Sequence, residues 1–352
     1  MNIKKLSALV LLFLGIIVLS ACSSDATSEE SSDESSSEKE TISYENKFDM
    51  RLTDKPDGDT EAVNETIDVP KNSEKVVLLD IGVASTFDAL DLEDNIVGLT
   101  KGDNNSSLGE DLETFKDDKY ANLGGLKEPD YEKIAELDPE IIMTGARQTN
   151  KDTIEELKKA APNAVVINVA AQSDNFFNDI KDMTSFIGQL YDKETEADEL
   201  NKELDEKIDE TNKAVNENDK TMMFIQTNGG DLSLHGPGGR YDYLYNPIGF
   251  EASGEEPDQE KTASHGNQIS YEYISKQNPG IVLVMDRGAA ISDGKDATKV
   301  DVIKTDVTNN VDAVKDDNIF ELDSVRWYLN SGGHITAMKQ LEEIEEILSE
   351  VK

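Results

Sequence analysis

Apolar residues are distributed along this chain in three different ways. Leu6 to Ala21 form an apolar run behind Lys4 and Lys5 that is too short to span a bilayer comfortably. Residues 23–41 are almost wholly Ser, Thr, Glu and Asp and contain no large apolar group. From Ile42 onward, short apolar runs alternate with apolar residues spaced three and four apart, the pattern of strands alternating with helices.

Within that third region the pattern predicts individual elements. Ile42 to Val69 reads as a β-hairpin and Val76-Val77-Leu78-Leu79 as a buried strand. A short helix is expected over Ala84–Leu90, a strand over Ile96–Leu99 and another at Val165-Val166-Ile167, so a mainly parallel sheet. From Asn175 to about Asn216 the spacing is helical, with Phe176, Ile180, Met183, Ile187 and Leu190 on one face. Asp192-Lys193 interrupts it, and Ala197, Leu200, Leu204 and Ile208 mark a second, more polar helix. A second lobe begins at Met222-Met223-Phe224-Ile225, has its last strand near Asn318–Leu322, and ends in a helix from about Thr336 to Leu348.

One pattern occurs twice. Tyr131-Glu132-x-Ile134, Pro139-x-Ile141-Ile142 and Arg147 are matched by Tyr271-Glu272-x-Ile274, Pro279-x-Ile281-Val282 and Arg287, all offset by 140 residues. Each copy predicts a short helix, a turn at Pro, an apolar strand, and an arginine where the strand ends. Two such units imply two similar α/β lobes, 42–191 and 218–352, joined by a long helix over 192–217. Ligands of open α/β sheets bind beyond the carboxyl ends of the strands. The two arginines are therefore expected to face one cleft, which points to an anionic ligand.

Charge narrows the partners. The 352 residues hold 34 Lys and Arg against 74 Asp and Glu, a formal net charge of −40, which makes nucleic acid a poor partner. Only five arginines are present, Arg51, Arg147, Arg240, Arg287 and Arg326, as if the fixed fork of the guanidinium were reserved for particular places. Intralobe ion pairs are the competing use for each. Cys22 is the single cysteine and closes Leu19-Ser20-Ala21-Cys22, so residues 1–22 read as a signal peptide ending at a lipidation site. An ordinary signal peptide with an incidental cysteine is the alternative. Residues 23–41 cannot offset the entropy of ordering and read as a disordered acidic tether. About 20 residues of coil reach roughly 25 Å, which keeps the folded part near the membrane surface.

The segments Gly145-Ala146-Arg147-Gln148, Gly236-Pro237-Gly238-Gly239-Arg240-Tyr241, Ser264-His265-Gly266, Val284-Met285-Asp286-Arg287 and Trp327-Tyr328-Leu329, in this order, resemble the iron–siderophore-binding lipoproteins of bacterial ABC importers. The resemblance covers residues 42–352 and is closest to the branch that takes catecholate, petrobactin-like siderophores. It implies two Rossmann-like lobes joined by one helix, as in class III periplasmic binding proteins. It also implies a monomer that binds without catalysing, lipid-anchored at Cys22 through a diacylglyceryl group on the extracytoplasmic face of the cell membrane. By the same resemblance Arg147, Arg240 and Arg287 hold an anionic ferric complex, His265 and Tyr328 are iron ligands in some members, and Tyr241 and Trp327 line the cleft. Glu132 and Glu272 match the glutamates that dock on a permease of the siderophore/cobalamin type, which works with its ATPase. No cofactor is implied, since the ferric siderophore is cargo. Ala146 departs from the usual Gly-Arg-Gln and puts the direction of Arg147 in question.

The chemistry agrees with that expectation. Three arginines match the three negative charges of a ferric tris-catecholate, and charge-assisted hydrogen bonds contribute about 1.5–3 kcal/mol each. With apolar contact these approach the roughly −12 kcal/mol of nanomolar binding. Most of the chain's negative charge lies beyond the Debye length of about 8 Å, so the local triad dominates. Iron(III) favours phenolate oxygen and accepts imidazole, so His265 and Tyr328 become ligands only where the siderophore leaves iron sites open. Two readings stand for each: His265 as a loop histidine bonded to backbone or a cleft residue, Tyr328 as an aromatic wall or a ligand. Haem or a corrinoid is the rival cargo. A surface-anchored hydrolase is the rival class, against which stand the absence of a Gly-x-Ser-x-Gly elbow and of clustered histidines. An adhesion or sensor protein that kept the fold and lost transport is a third.

Overall fold

The computed structural model describes residues 39–53, 58–254, 266–292, 297–298 and 300–352. Cys22, nearly all of the expected tether and His265 lie outside the described residues.

Strands β1 (Thr41–Arg51) and β2 (Thr60–Pro70) pair antiparallel along their whole length, from Thr41 opposite Pro70 to Arg51 opposite Thr60. The alternation of their side chains leaves one polar face and one that carries Ile42, Tyr44, Ile67 and Val69 onto the first lobe. Tyr44 packs on Phe186 with ring centroids 4.7 Å apart and donates its hydroxyl to the Asn168 carbonyl at 2.6 Å.

The first sheet is wholly parallel. It contains β3 (Val76–Leu78), β4 (Ile96–Leu99), β5 (Ala121–Asn122), β6 (Ile141–Thr144) and β7 (Val165–Asn168), in the order β5-β4-β3-β6-β7. Both faces are covered, which is why the strands are almost continuously apolar. Val76, Leu78, Ile141, Met143 and Ile167 pack on Phe87 of α1 (Ala84–Ala89). Val77, Ile142 and Val166 point the other way, onto Ile134 of α2 (Tyr131–Leu137) and Ile154 and Leu157 of α3 (Lys151–Ala160).

After Asn168 the chain forms α4 (Phe176–Leu190) and α5 (Glu194–Asn216), separated at Asp192, whose φ of 55° no helix continues. Ala197 of α5 lies in the first lobe's core, whereas its Leu204, Ile208 and Val215 lie in the second's. It therefore joins the two. The sequence placed α4 within the first lobe, but its packing is divided. Met183, Phe186, Ile187 and Leu190 belong to the first core, while Phe176, Phe177 and Ile180 belong to the second. Fifteen residues of helix are about 22 Å long, enough to reach from one core into the other.

The second sheet departs from the mainly parallel expectation. It contains β8 (Met222–Asn228), β9 (Asp231–His235), β10 (Asn267–Gln268), β11 (Ile281–Asp286) and β12 (Ile319–Glu321), in the order β10-β9-β8-β11-β12. β8, β11 and β12 are parallel, but β9 runs antiparallel to β8 and to β10. Gly229 and Gly230, with φ of 61° and 96°, turn β8 straight back into β9. Two such residues form a tight hairpin without strain. Around this sheet lie α6 (Tyr271–Gln277), α7 (Arg287–Ile291), α8 (Asp312–Lys315), α9 (Ser324–Tyr328) and α10 (His334–Glu350).

α10 packs Ala337, Leu341, Ile344 and Ile347 into the second core, yet its first turn rests on α1 of the first lobe. The His334 backbone N–H donates to Thr86 Oγ1 at 3.0 Å. A Cβ at Gly333 would stand 1.8 Å from the Gly82 carbonyl oxygen, so only glycine permits this approach.

Candidate ligand-binding cleft

Strand order reverses between β3 and β6 in one sheet and between β8 and β11 in the other, and the carboxyl ends of these four strands mark the site. β3 leads to Asp80 and β6 to the turn Ala146–Gln148, which carries Arg147. β8 ends at Asn228, and β11 leads into Arg287, the first residue of α7. The turn at Gly236–Gly239, with φ of 78° at Gly238, delivers Arg240. Nearby lies a cleft of about 1040 Å³, lined among others by Asp80, Arg147, Arg240, Tyr241 and Tyr328.

Three arginines from distant parts of the chain converge on Tyr328. Arg147 and Arg240 each donate an Nη2–H to its backbone carbonyl, at 2.7 and 2.8 Å. Arg287 donates Nε–H to its hydroxyl at 2.8 Å, and an Nη1–H to Asn228 Oδ1 at 3.2 Å. The guanidinium carbons of Arg147, Arg240 and Arg287 lie 5.6, 4.5 and 5.5 Å from the centre of the Tyr328 ring, within cation–π range. Ala146 is exposed on its turn and does not divert Arg147 from the other two.

The electrostatics follow from this crowding. Burial opposes ionisation of the Tyr328 phenol, but the Arg287 hydrogen bond and the charges of Arg240, Arg287 and Arg147 together hold it below the ordinary tyrosine value. Burial, and then the neighbouring Arg240, make the Arg147 guanidinium easier to deprotonate than usual, though such a group stays charged. Asp80 faces Arg147; burial pushes its carboxyl up to about 6 despite that cation. A Cβ at Gly145 would come within 2.2 Å of Asp80 Oδ2, so this glycine makes room for the carboxylate.

The other expected residues divide. Tyr241 is in the cleft wall, 1 % exposed, stacked on Phe224 at 4.4 Å. Trp327 is not in the wall. It has no exposed surface, donates its indole N–H to Glu343 Oε2 at 2.7 Å and stacks on Tyr243, so it is a core anchor behind Tyr241. The one polar atom of the indole is satisfied inside the core, which holds the ring there. Glu132 and Glu272 are exposed in the first turns of α2 and α6. His235 ends β9, buried, with its ring 3.3 Å from Gln226 Oε1. His334 opens α10, where burial pushes its ring down to about 4.

Among the cleft residues that the sequence did not single out, two face or hold Arg147. Asp80 directly follows the apolar run of β3, and a polar residue at the carboxyl end of a first strand was the available signal. Arg51, at the end of β1, also lines the cleft and donates Nη2–H to the Arg147 carbonyl at 3.1 Å. Its rarity in the sequence was a signal, but its register was not. The segment that holds Tyr328 is tied to both lobes. Arg326 forms a two-pronged pair with Asp111 at 2.5 and 3.0 Å and a third contact with Glu343 at 2.9 Å. Asn330 accepts from Gly109 N at 2.9 Å and donates to the Ser107 carbonyl at 2.7 Å.

The periplasmic binding protein model matches residues 76–325, a span that contains both sheets and all three arginines. The chain belongs to that family. Among its relatives, this member is 35 % identical to the petrobactin-binding protein YclQ of Bacillus subtilis, over 99 % of this chain and 98 % of that protein. The crystal structure of YclQ superimposes with a TM-score of 0.73, covering 86 % of this chain and 98 % of the other. The ferric-anguibactin-binding protein FatB of Vibrio anguillarum is 26 % identical over 77 % of this chain and 81 % of its own length.

Proposed function

We propose that this family member captures a ferric catecholate-type siderophore between its lobes and delivers it to an ABC permease. The observation that carries this reading is the convergence of Arg147, Arg240 and Arg287 on Tyr328, with Arg147, Arg240 and Tyr328 lining one cleft. Their N–H groups are donors an anionic complex can accept from, and three fixed positive charges suit a trianion. The relatives YclQ and FatB are named for binding petrobactin and ferric anguibactin. Tyr328 contributes a phenolate oxygen to iron where the siderophore supplies fewer than six donors, with His265 as the second ligand. Cys22 carries the lipid anchor that keeps the protein on the extracytoplasmic face of the membrane, as a monomer.

Titration of the purified chain with ferric petrobactin, followed by Trp327 fluorescence, tests the reading. Trp327 lies 6.2 Å from Tyr241, ring to ring, so it senses the cleft through one side chain. Saturable quenching at nanomolar to micromolar ligand, weakened by Arg240→Ala, is expected. Quenching by haem or a corrinoid, with none by any ferric catecholate, would reject the assigned cargo.

Glu132 and Glu272 are the proposed permease contacts. Replacing both with alanine should abolish iron uptake by cells and leave ligand affinity unchanged. A matching loss of affinity would remove them from that role.

A further inference from the structure

Arg51 belongs to neither copy of the repeat nor to either lobe's sheet. Its backbone N–H donates to the Thr149 carbonyl at 2.9 Å, and it forms an isolated parallel bridge with Asn150. Its side chain donates Nε–H to Thr149 Oγ1 at 3.2 Å and Nη2–H to the Arg147 carbonyl at 3.1 Å. Thr149 in turn donates its hydroxyl to the Ala146 carbonyl at 3.2 Å. One residue of the hairpin thus grips the turn that presents Arg147, at alternate residues.

The hairpin does not need this grip in order to dock. Its apolar anchor, Tyr44 on Phe186, lies seven residues away, roughly 23 Å along a strand. The turn is what the side chain holds. Ala146 in it is exposed, and without the Arg51 side chain the Arg147 carbonyl and Thr149 Oγ1 would lose these donors.

We infer that Arg51 is a positioning residue for ligand binding: by clamping the Ala146–Thr149 turn it sets the Arg147 guanidinium at the Tyr328 carbonyl, and so in the cleft. The inference rests on the proposed function, because its readout is affinity for an anionic ferric complex. Arg51 acts through Arg147, and that distinguishes it from a fourth anion contact.

A double-mutant cycle with ferric petrobactin and the full chain decides the matter. Arg51→Ala should weaken binding roughly tenfold, a change equivalent to about 1.4 kcal/mol. In an Arg147→Ala background the same substitution should change almost nothing. Equal losses in both backgrounds would mean that Arg51 touches the ligand directly, and would overturn the inference. So would undiminished binding by Arg51→Ala. A crystal structure of Arg51→Ala without ligand gives a readout independent of affinity: Arg147 should no longer reach the Tyr328 carbonyl, and its persistence there would also overturn the inference. Failure of the unsubstituted chain to bind any ferric catecholate is a separate outcome, which rejects the proposed function and leaves the crystallographic arm to judge Arg51.

Discussion

The two copies of the repeated segment are alike until their strands end, and then they part. Asp130 caps α2 by accepting from Lys133 N, and Ser270 caps α6 by accepting from Tyr273 N. Both helices stop at a left-handed residue, Asp138 with φ of 46° and Asn278 with φ of 49°, one position before a proline. Asp and Asn tolerate that conformation better than most residues, and proline cannot continue a helix. Each strand then lies next to the first strand of its sheet, where strand order reverses. Beyond that point Arg147 occupies a tight turn, clamped by a hairpin outside the lobe's main sheet and faced by Asp80. Arg287 instead opens a helix and is held by Asn228 from its own sheet. A repeat can bring an arginine to the mouth of a cleft, but unrepeated neighbours decide how it is held.

The largest expected effect tests what keeps the two copies facing each other. Asp111→Ala leaves Arg326, which is 15 % exposed, without its two-pronged partner. Because Glu343 still pairs with Arg326, the cost should be about 3 kcal/mol, the low end for breaking a buried pair from one side, read as a lower urea midpoint in Trp327 fluorescence. A midpoint shift worth less than about 1 kcal/mol would mean that the other contacts between the lobes suffice.

Next in size are the arginines themselves. Loss of a charge-assisted bond is worth about 1.5–3 kcal/mol, so Arg240→Ala and Arg147→Ala should weaken ferric petrobactin binding by about 10- to 150-fold. Arg287→Ala should cost less, because Arg147 and Arg240 line the cleft while Arg287 reaches Tyr328 from its hydroxyl side. Equal losses from Arg147→Ala and Arg287→Ala would erase the asymmetry between the copies.

A pH profile sharpens the same asymmetry. The unfolded Asp80 carboxyl ionises near 3.9, whereas the folded one holds its proton up to about 6. Over that interval the folded state binds more protons, so the stability Asp80 contributes is fully present below the lower value and lost as pH rises through 6. The ionised carboxylate also subtracts charge beside Arg147, so affinity for an anionic complex should fall severalfold across pH 6. Asp80→Asn should remove that step, and a step retained in the variant would assign it to another group.

The smallest effects concern the shared part of the repeat. Asp130→Ala and Ser270→Ala each remove a helix N-cap and should each cost about 1 kcal/mol in urea unfolding. A clear inequality would show that even the local halves of the two copies are supported differently.

Much of the fold was legible because it is local. The hairpin, the strand and helix runs and the break at Asp192 follow from apolar period, caps and backbone preferences that act over a few residues. The antiparallel strands of the second sheet were missed although Gly229-Gly230 is a hairpin signal, because the repeat suggested two lobes of one kind. Trp327 was misplaced because its neighbour Tyr328 faces the cleft, and adjacent positions on a helix point in different directions. Whether it met ligand or core depended on Glu343, which lies on another helix.

The sequence by itself determined two α/β units, a helical link, and two arginines at equivalent strand ends, since each depends on periodicity and position along the chain. Only the tertiary structure decided that Arg147, Arg240 and Arg287 share one tyrosine, that Asp80 faces the first of them and that Arg51 holds its turn. Those contacts join residues scores of positions apart, and their geometry depends on how two lobes, a hairpin and a short helix pack together. No local pattern encodes that packing.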